Sequence, residues 1–231
     1  MTTLTPTRAT GATAKPASGL YVEEACAVTD EQLAAPMADT GLNGAFIADL
    51  LSAALTHERC GTHLYRSVAG RTNNPMLKAR YEEFGKETLR HAEILEGLIA
   101  DLGGDPQYVS PMARAVQGMD TAVLESTFRA DGTLDVMVRE MAMLDAVVLA
   151  ETIDHANWTN LTQLCAELPE GPQRDSLMAA VDEVGPQEDE HLRWATDTKA
   201  QMTMMQARSS LVESVGRKVE DLVETVRGWF S

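Results

Sequence analysis

The run Glu188-Asp189-Glu190-His191 holds a carboxylate and an imidazole three positions apart, both of them groups that bind divalent cations. On an α-helix that spacing puts Glu188 and His191 on one face, a single turn apart, so two ligands can reach one ion. Their oxygen and nitrogen donors can share such a cation. A solvated helix face carries such pairs too, so the meaning of this one depends on what the rest of the chain sets opposite it.

Four long segments can position such groups. From Gly41 to Gly70, Ile47, Leu51, Ala54, Glu58, Gly61, Tyr65 and Val68 recur at alternating steps of four and three, the stripe of a helix that packs into a bundle. Asn43 suits its N-cap. From Asn74 to Leu102 the stripe is Leu77, Tyr81, Phe84, Thr88, His91, Leu95 and Leu98, stopped by Gly103-Gly104-Asp105-Pro106. From Leu134 to Leu168 it is Met137, Met141, Leu144, Val148, Glu151, His155, Trp158 and Thr162. After Pro169-Glu170-Gly171-Pro172, a fourth segment to Met205 carries Leu177, Val181, Val184, Glu188, His191, Ala195, Thr198 and Met202, with Gly185-Pro186 predicting a kink. Residues 107–131 read as a long connection with one short helix around Ala122 to Phe128.

Each stripe is thus interrupted near its middle: by Glu58, by Thr88 and His91, by Glu151 and His155, and by Glu188 and His191. A buried carboxylate or imidazole without a partner costs several kcal/mol, so a core should not gather this many by chance. A metal cluster removes that cost: carboxylates neutralise and bridge the ions, and imidazoles supply nitrogen. Tyr65 and Trp158 are expected as core aromatics. His57, Cys60 and His63 fall out of phase and are expected at the surface or in helix packing.

The totals bound the partners. With 35 acidic against 19 basic residues the formal charge is −16, which speaks against a nucleic-acid surface and for one that collects cations. Cys26, Cys60 and Cys165 form no metal or redox motif, and neither a secretory leader nor an 18-residue apolar run is found. The expectation is a cytoplasmic protein with reduced thiols. Residues 1–40 read as a flexible tail rich in Thr, Ala and Pro. Residues 207–231 read as an amphipathic helix, with Leu211, Val215, Val219, Leu222, Val226 and Trp229 on one face. It carries no basic excess, so it is expected to dock on its own bundle or on a protein partner rather than on a membrane.

Glu58, His91, Glu151 and Glu188 with His191, and the stretches "EEFGKETLRHAEILEGLIADLGGDP" and "QEDEHLRWA", resemble the ferritin-like superfamily of carboxylate-bridged dimetal bundles, which includes rubrerythrins and bacterioferritins. The resemblance covers residues 42–206 and implies an all-α fold, an up-down-down-up four-helix bundle over 41–206 whose long crossover is the 107–131 connection. It implies iron, two ions or one, with manganese as the alternative, held by Glu58, His91, Glu151, Glu188 and His191. The implied activity is a di-iron oxidoreductase acting on dioxygen or peroxide, whether for detoxification, iron oxidation or oxygenation of an organic substrate. A homo-oligomer, a dimer first, and an external electron donor are implied as well.

The chain departs from that pattern on its second helix, where Thr88 stands three residues before His91 in place of a glutamate. Glu87 could swing in through an irregularity at Gly85, His155 could join as a ligand or partner, or one ion could be weak or missing. The alternative is a non-enzymatic scaffold that keeps a degenerate site and binds partners.

Overall fold

Short polar side chains start four of the helices by accepting from exposed backbone N–H groups. Asn43 accepts from Phe46 and opens α1 (Gly44–Arg71), and Asn74 accepts from Met76 and Leu77 and opens α2 (Pro75–Asp101). Ser110 accepts from Ala113 at the head of α3 (Pro111–Phe128), and Asp135 from Met137 and Val138 at the head of α4 (Val136–Glu167). The fifth helix, α5 (Pro172–Arg208), continues through Pro186, which removes one backbone donor from the ladder. Gly103 takes the left-handed conformation (φ 80°) that ends α2.

The computed structural model describes residues 40–129, 131 and 135–208. Among them the fold is all-α, with five helices and no strand. The tail and the C-terminal amphipathic helix lie outside the described residues apart from their borders. No described helix is long and apolar enough to cross a membrane.

α1 packs on α2, α2 on α5, α5 on α4 and α4 on α1, which closes a ring of four, while α3 lies across α1 and α4. α3 runs the length of α1. At its start Ser52 Oγ donates to Tyr108 O and Met112 N donates to Asp49 Oδ1; at its end Arg71 donates to Thr127 and stands 3.9 Å over the Phe128 ring. The connecting helix thus has 18 residues, a longer element than the short helix expected around Ala122 to Phe128.

The core falls into two apolar regions. One gathers Ile47 and Leu51 of α1, Leu95 and Leu98 of α2, Trp158 and Leu161 of α4, and Leu177 and Val184 of α5. The other gathers Tyr65 and Val68, Tyr81 and Phe84, Leu144 and Val147, and Ala195 and Met202 of the same helices. The residues between them on every helix are polar: Glu58, Thr88 and His91, Glu151 and Asp154, Glu188 and His191, all buried.

Candidate metal centre

Each ring helix delivers part of this polar layer from the middle of its buried stripe, and the pieces meet in two groups. Glu58, His91 and Glu188 offer ligand atoms within 4.8 Å of one another, as do Glu151, Glu188 and His191, so Glu188 belongs to both. His91 Nδ1 lies 2.8 Å from Glu188 Oε1 and 3.7 Å from Glu58 Oε2. His191 Nδ1 lies 3.4 Å from Glu151 Oε2 and 3.7 Å from Glu188 Oε1. The two imidazoles are stacked, their centroids 5.7 Å apart.

Outer atoms are tied and inner atoms are not. Trp158 Nε1 donates to Glu58 Oε1 at 2.8 Å, and Tyr65 Oη donates to Glu151 Oε1 at 2.7 Å. His91 Nε2 meets Gln187 Oε1 at 2.7 Å, and His191 Nε2 meets Glu87 Oε2 at 2.7 Å. Inside the cluster, Glu58 Oε2, Glu151 Oε2, both oxygens of Glu188 and both Nδ1 atoms have no hydrogen-bond partner, even where an oppositely charged group is near. Each Nε2 faces an acceptor and so carries a proton, which leaves each Nδ1 facing carboxylate oxygens, where a second proton or a metal cation must lie between them.

The electrostatics carry the same message. Burial works against charge on His91, but facing Glu188 and Glu58 outweighs it and holds the imidazole well above its usual range. His191 is raised likewise: burial opposes, Glu151, Glu188 and Glu87 prevail. Burial pushes the Glu188 carboxyl up against the pull of His91, with Glu151 and Glu58 adding to the rise. Burial and Glu151 keep the Tyr65 phenol protonated, so it stays a donor. Without a metal, then, protons hold these groups together, and divalent cations could take their place: the residues present fit such ions.

The predicted residues fare unequally. Glu58, His91, Glu151, Glu188 and His191 come together in this cluster. Glu87 reaches His191 Nε2 from a regular helix: no irregularity is found at Gly85, which instead makes room for Tyr65, whose Cβ would lie 3.0 Å from an added Gly85 Cβ. Thr88 is buried, with its methyl group 3.1 Å from where a Gly61 Cβ would stand, and so serves helix contact. His155, expected on the core stripe, is instead 38% exposed and meets Asp189 at 2.9 Å. Its expected place is taken by Asp154, which periodicity did not single out.

His57 takes the second of its two expected places, in helix packing. It is buried, with Nδ1 2.8 Å from Asp120 of α3 and Nε2 3.1 Å from Ala150 O. No stripe reveals that partner, because α3 lies outside the ring. Burial and Asp120 push the Cys60 thiol up to about 11, far from a reactive thiolate. Trp158 and Tyr65 are core aromatics as expected, with a polar end each that spacing could not assign.

Among known protein families, the model described as a domain of unknown function (DUF892) matches residues 42–189. That span includes Glu58, His91, Glu151 and Glu188 and ends two residues before His191. No curated protein and no solved structure matches the chain.

Proposed function

We propose that this chain, which belongs to the DUF892 family of domains of unknown function, is a metal-binding protein of ferritin-like architecture that holds two divalent ions, iron before manganese, and reacts with dioxygen or peroxide. The observation that carries the reading is the division between tied outer atoms and untied inner ones around Glu188. A hydrogen-bonded polar layer would satisfy its inner atoms, whereas a metal site keeps them for the ion.

The architecture is supported by the order of the core. α1 and α5 give their first halves to one apolar region and their second halves to the other, and α2 and α4 do the reverse. An up-down-down-up bundle has this pattern, and α3 along α1 provides the crossover it needs.

Glu58 and His91 would hold one ion, Glu151 and His191 the other, and Glu188, with both oxygens free, would bridge. When bound, two ions cycling between the +2 and +3 states would supply two electrons, which with two protons take one peroxide to two waters. Trp158 and Tyr65 fix the rotamers of Glu58 and Glu151; Gln187 and Glu87 aim the imidazoles. Glu58 and His91 are 0% exposed and Glu188 and His191 1%, which favours a small oxidant over a bulky organic substrate. With no Cys-x-x-Cys pair in the chain, an external donor would return the electrons.

The test is metal content per chain by elemental mass spectrometry after anaerobic reconstitution with ferrous iron, followed by peroxide consumption. About two ions are expected for the parent and none for Glu188→Ala. The second reading, a scaffold with a degenerate site, is favoured by Thr88, and it wins if the folded parent retains no ion.

A further inference from the structure

Asp154 lies one turn beyond Glu151 on α4 and is 5% exposed. Its Oδ1 has no hydrogen-bond partner, and its neighbours are carboxylates: Glu58 within hydrogen-bonding reach, then Glu188 and Glu151. The next residue on this face, Trp158, donates to Glu58 at 2.8 Å, so this part of α4 is turned toward the Glu58 side of the cluster. A carboxyl so placed must be protonated, be paired with a cationic side chain, or share a metal ion.

We propose that Asp154 is a ligand of the ion held by Glu58, His91 and Glu188, supplying from α4 the carboxylate that α2 lacks at Thr88. The inference rests on the metal reading above and makes it specific. Charge favours it. Glu58, Glu151 and Glu188 carry three negative charges, one short of balancing two divalent ions, and Asp154 brings the fourth. Position favours it as well, since Glu151 and Asp154 repeat on α4 the one-turn spacing of Glu188 and His191 on α5, and both pairs face the same interior. Thr88 therefore does not mark a lost ion: the carboxylate stands on the opposite wall of the ring, on α4 instead of α2.

The metal-free protein, titrated anaerobically with cobalt(II), reports ion count by elemental analysis and ligand set by the visible spectrum. Asp154→Asn keeps the shape and hydrogen bonding of a protonated carboxyl but removes the anionic oxygen. Its count is expected to fall from about two to about one, or the weaker site to lose about 100-fold in affinity, with circular dichroism unchanged. Asp154→Glu, which keeps a carboxylate, restores the ion. Full occupancy at parental affinity in Asp154→Asn would show a protonated structural group and overturn the proposal, as would equal loss in Asn and Glu variants, which points to packing. A parent that takes up no cobalt defeats the metal reading itself, a result visible before any variant is made.

Discussion

Glu58, Glu151, His91 and His191 are side chains with two polar ends, and the chain uses one end of each to aim the other. Tyr65 shows this most simply: its hydroxyl donates to Glu151 Oε1 and so holds the carboxylate still. Tyr65→Phe keeps the ring in its packing with Tyr81 and Phe84 and removes only that bond. The fold should survive, while affinity for the ion held by Glu151 and His191 drops about 10- to 100-fold in a metal titration. Glu87, on the outer nitrogen of His191, is a support of the same kind although it is partly exposed.

At the scale of elements, α3 is fastened to α1 by a chain of contacts that includes the buried pair His57 and Asp120. Removing one partner leaves a polar group in the core without compensation. Asp120→Ala should lower stability by about 3 kcal/mol in denaturant unfolding, while ion count in the folded protein stays that of the parent. The α1–α2 contact depends on Gly85 in another way. A methyl group there meets Tyr65 Cβ at 3.0 Å, backbone-near atoms that cannot rotate aside. Gly85→Ala should cost about 1–3 kcal/mol, and because Tyr65 moves, it should also weaken the ion beside Glu151; thermal melts with and without metal separate the two effects.

Across the whole molecule, two apolar regions are bonded through a polar layer whose carboxylates repel one another. Ions in that layer would tie four helices together and bind the folded chain alone. Metal should therefore raise the melting temperature, each site adding about 2.7 kcal/mol when free metal is 100 times its Kd, and a chelator should reverse the gain. Glu188→Ala should melt at one temperature in both conditions. The surplus of acidic residues, with a formal charge of −16, attracts the cations without choosing among them.

The sequence by itself determined an all-α chain, four long stripes and their polar interruptions, because the period of a helix and the cost of burying charge are local and legible. The stripe of α5 is found buried from Leu177 to Met202, and that of α2 from Leu77 to Leu98. Only the tertiary structure decided α4. Its Met137, Leu144, Glu151 and Trp158 are buried as expected, but between them Glu140, Val147, Asp154 and Leu161 turn inward instead of Met141, Val148, His155 and Thr162. Steps of three and of four from one residue both lie near its face, and the choice between them depends on which side the neighbouring helices stand. Glu140 and Asp154 look like solvent residues until the turn at Thr72 and Asn73 donates to the first and the cluster around Glu58 encloses the second. Likewise, the outer hydrogen bonds of His91 and His191 join residues about 100 positions apart in the chain. Periodicity announces that a side chain turns inward, and packing alone settles what it meets there.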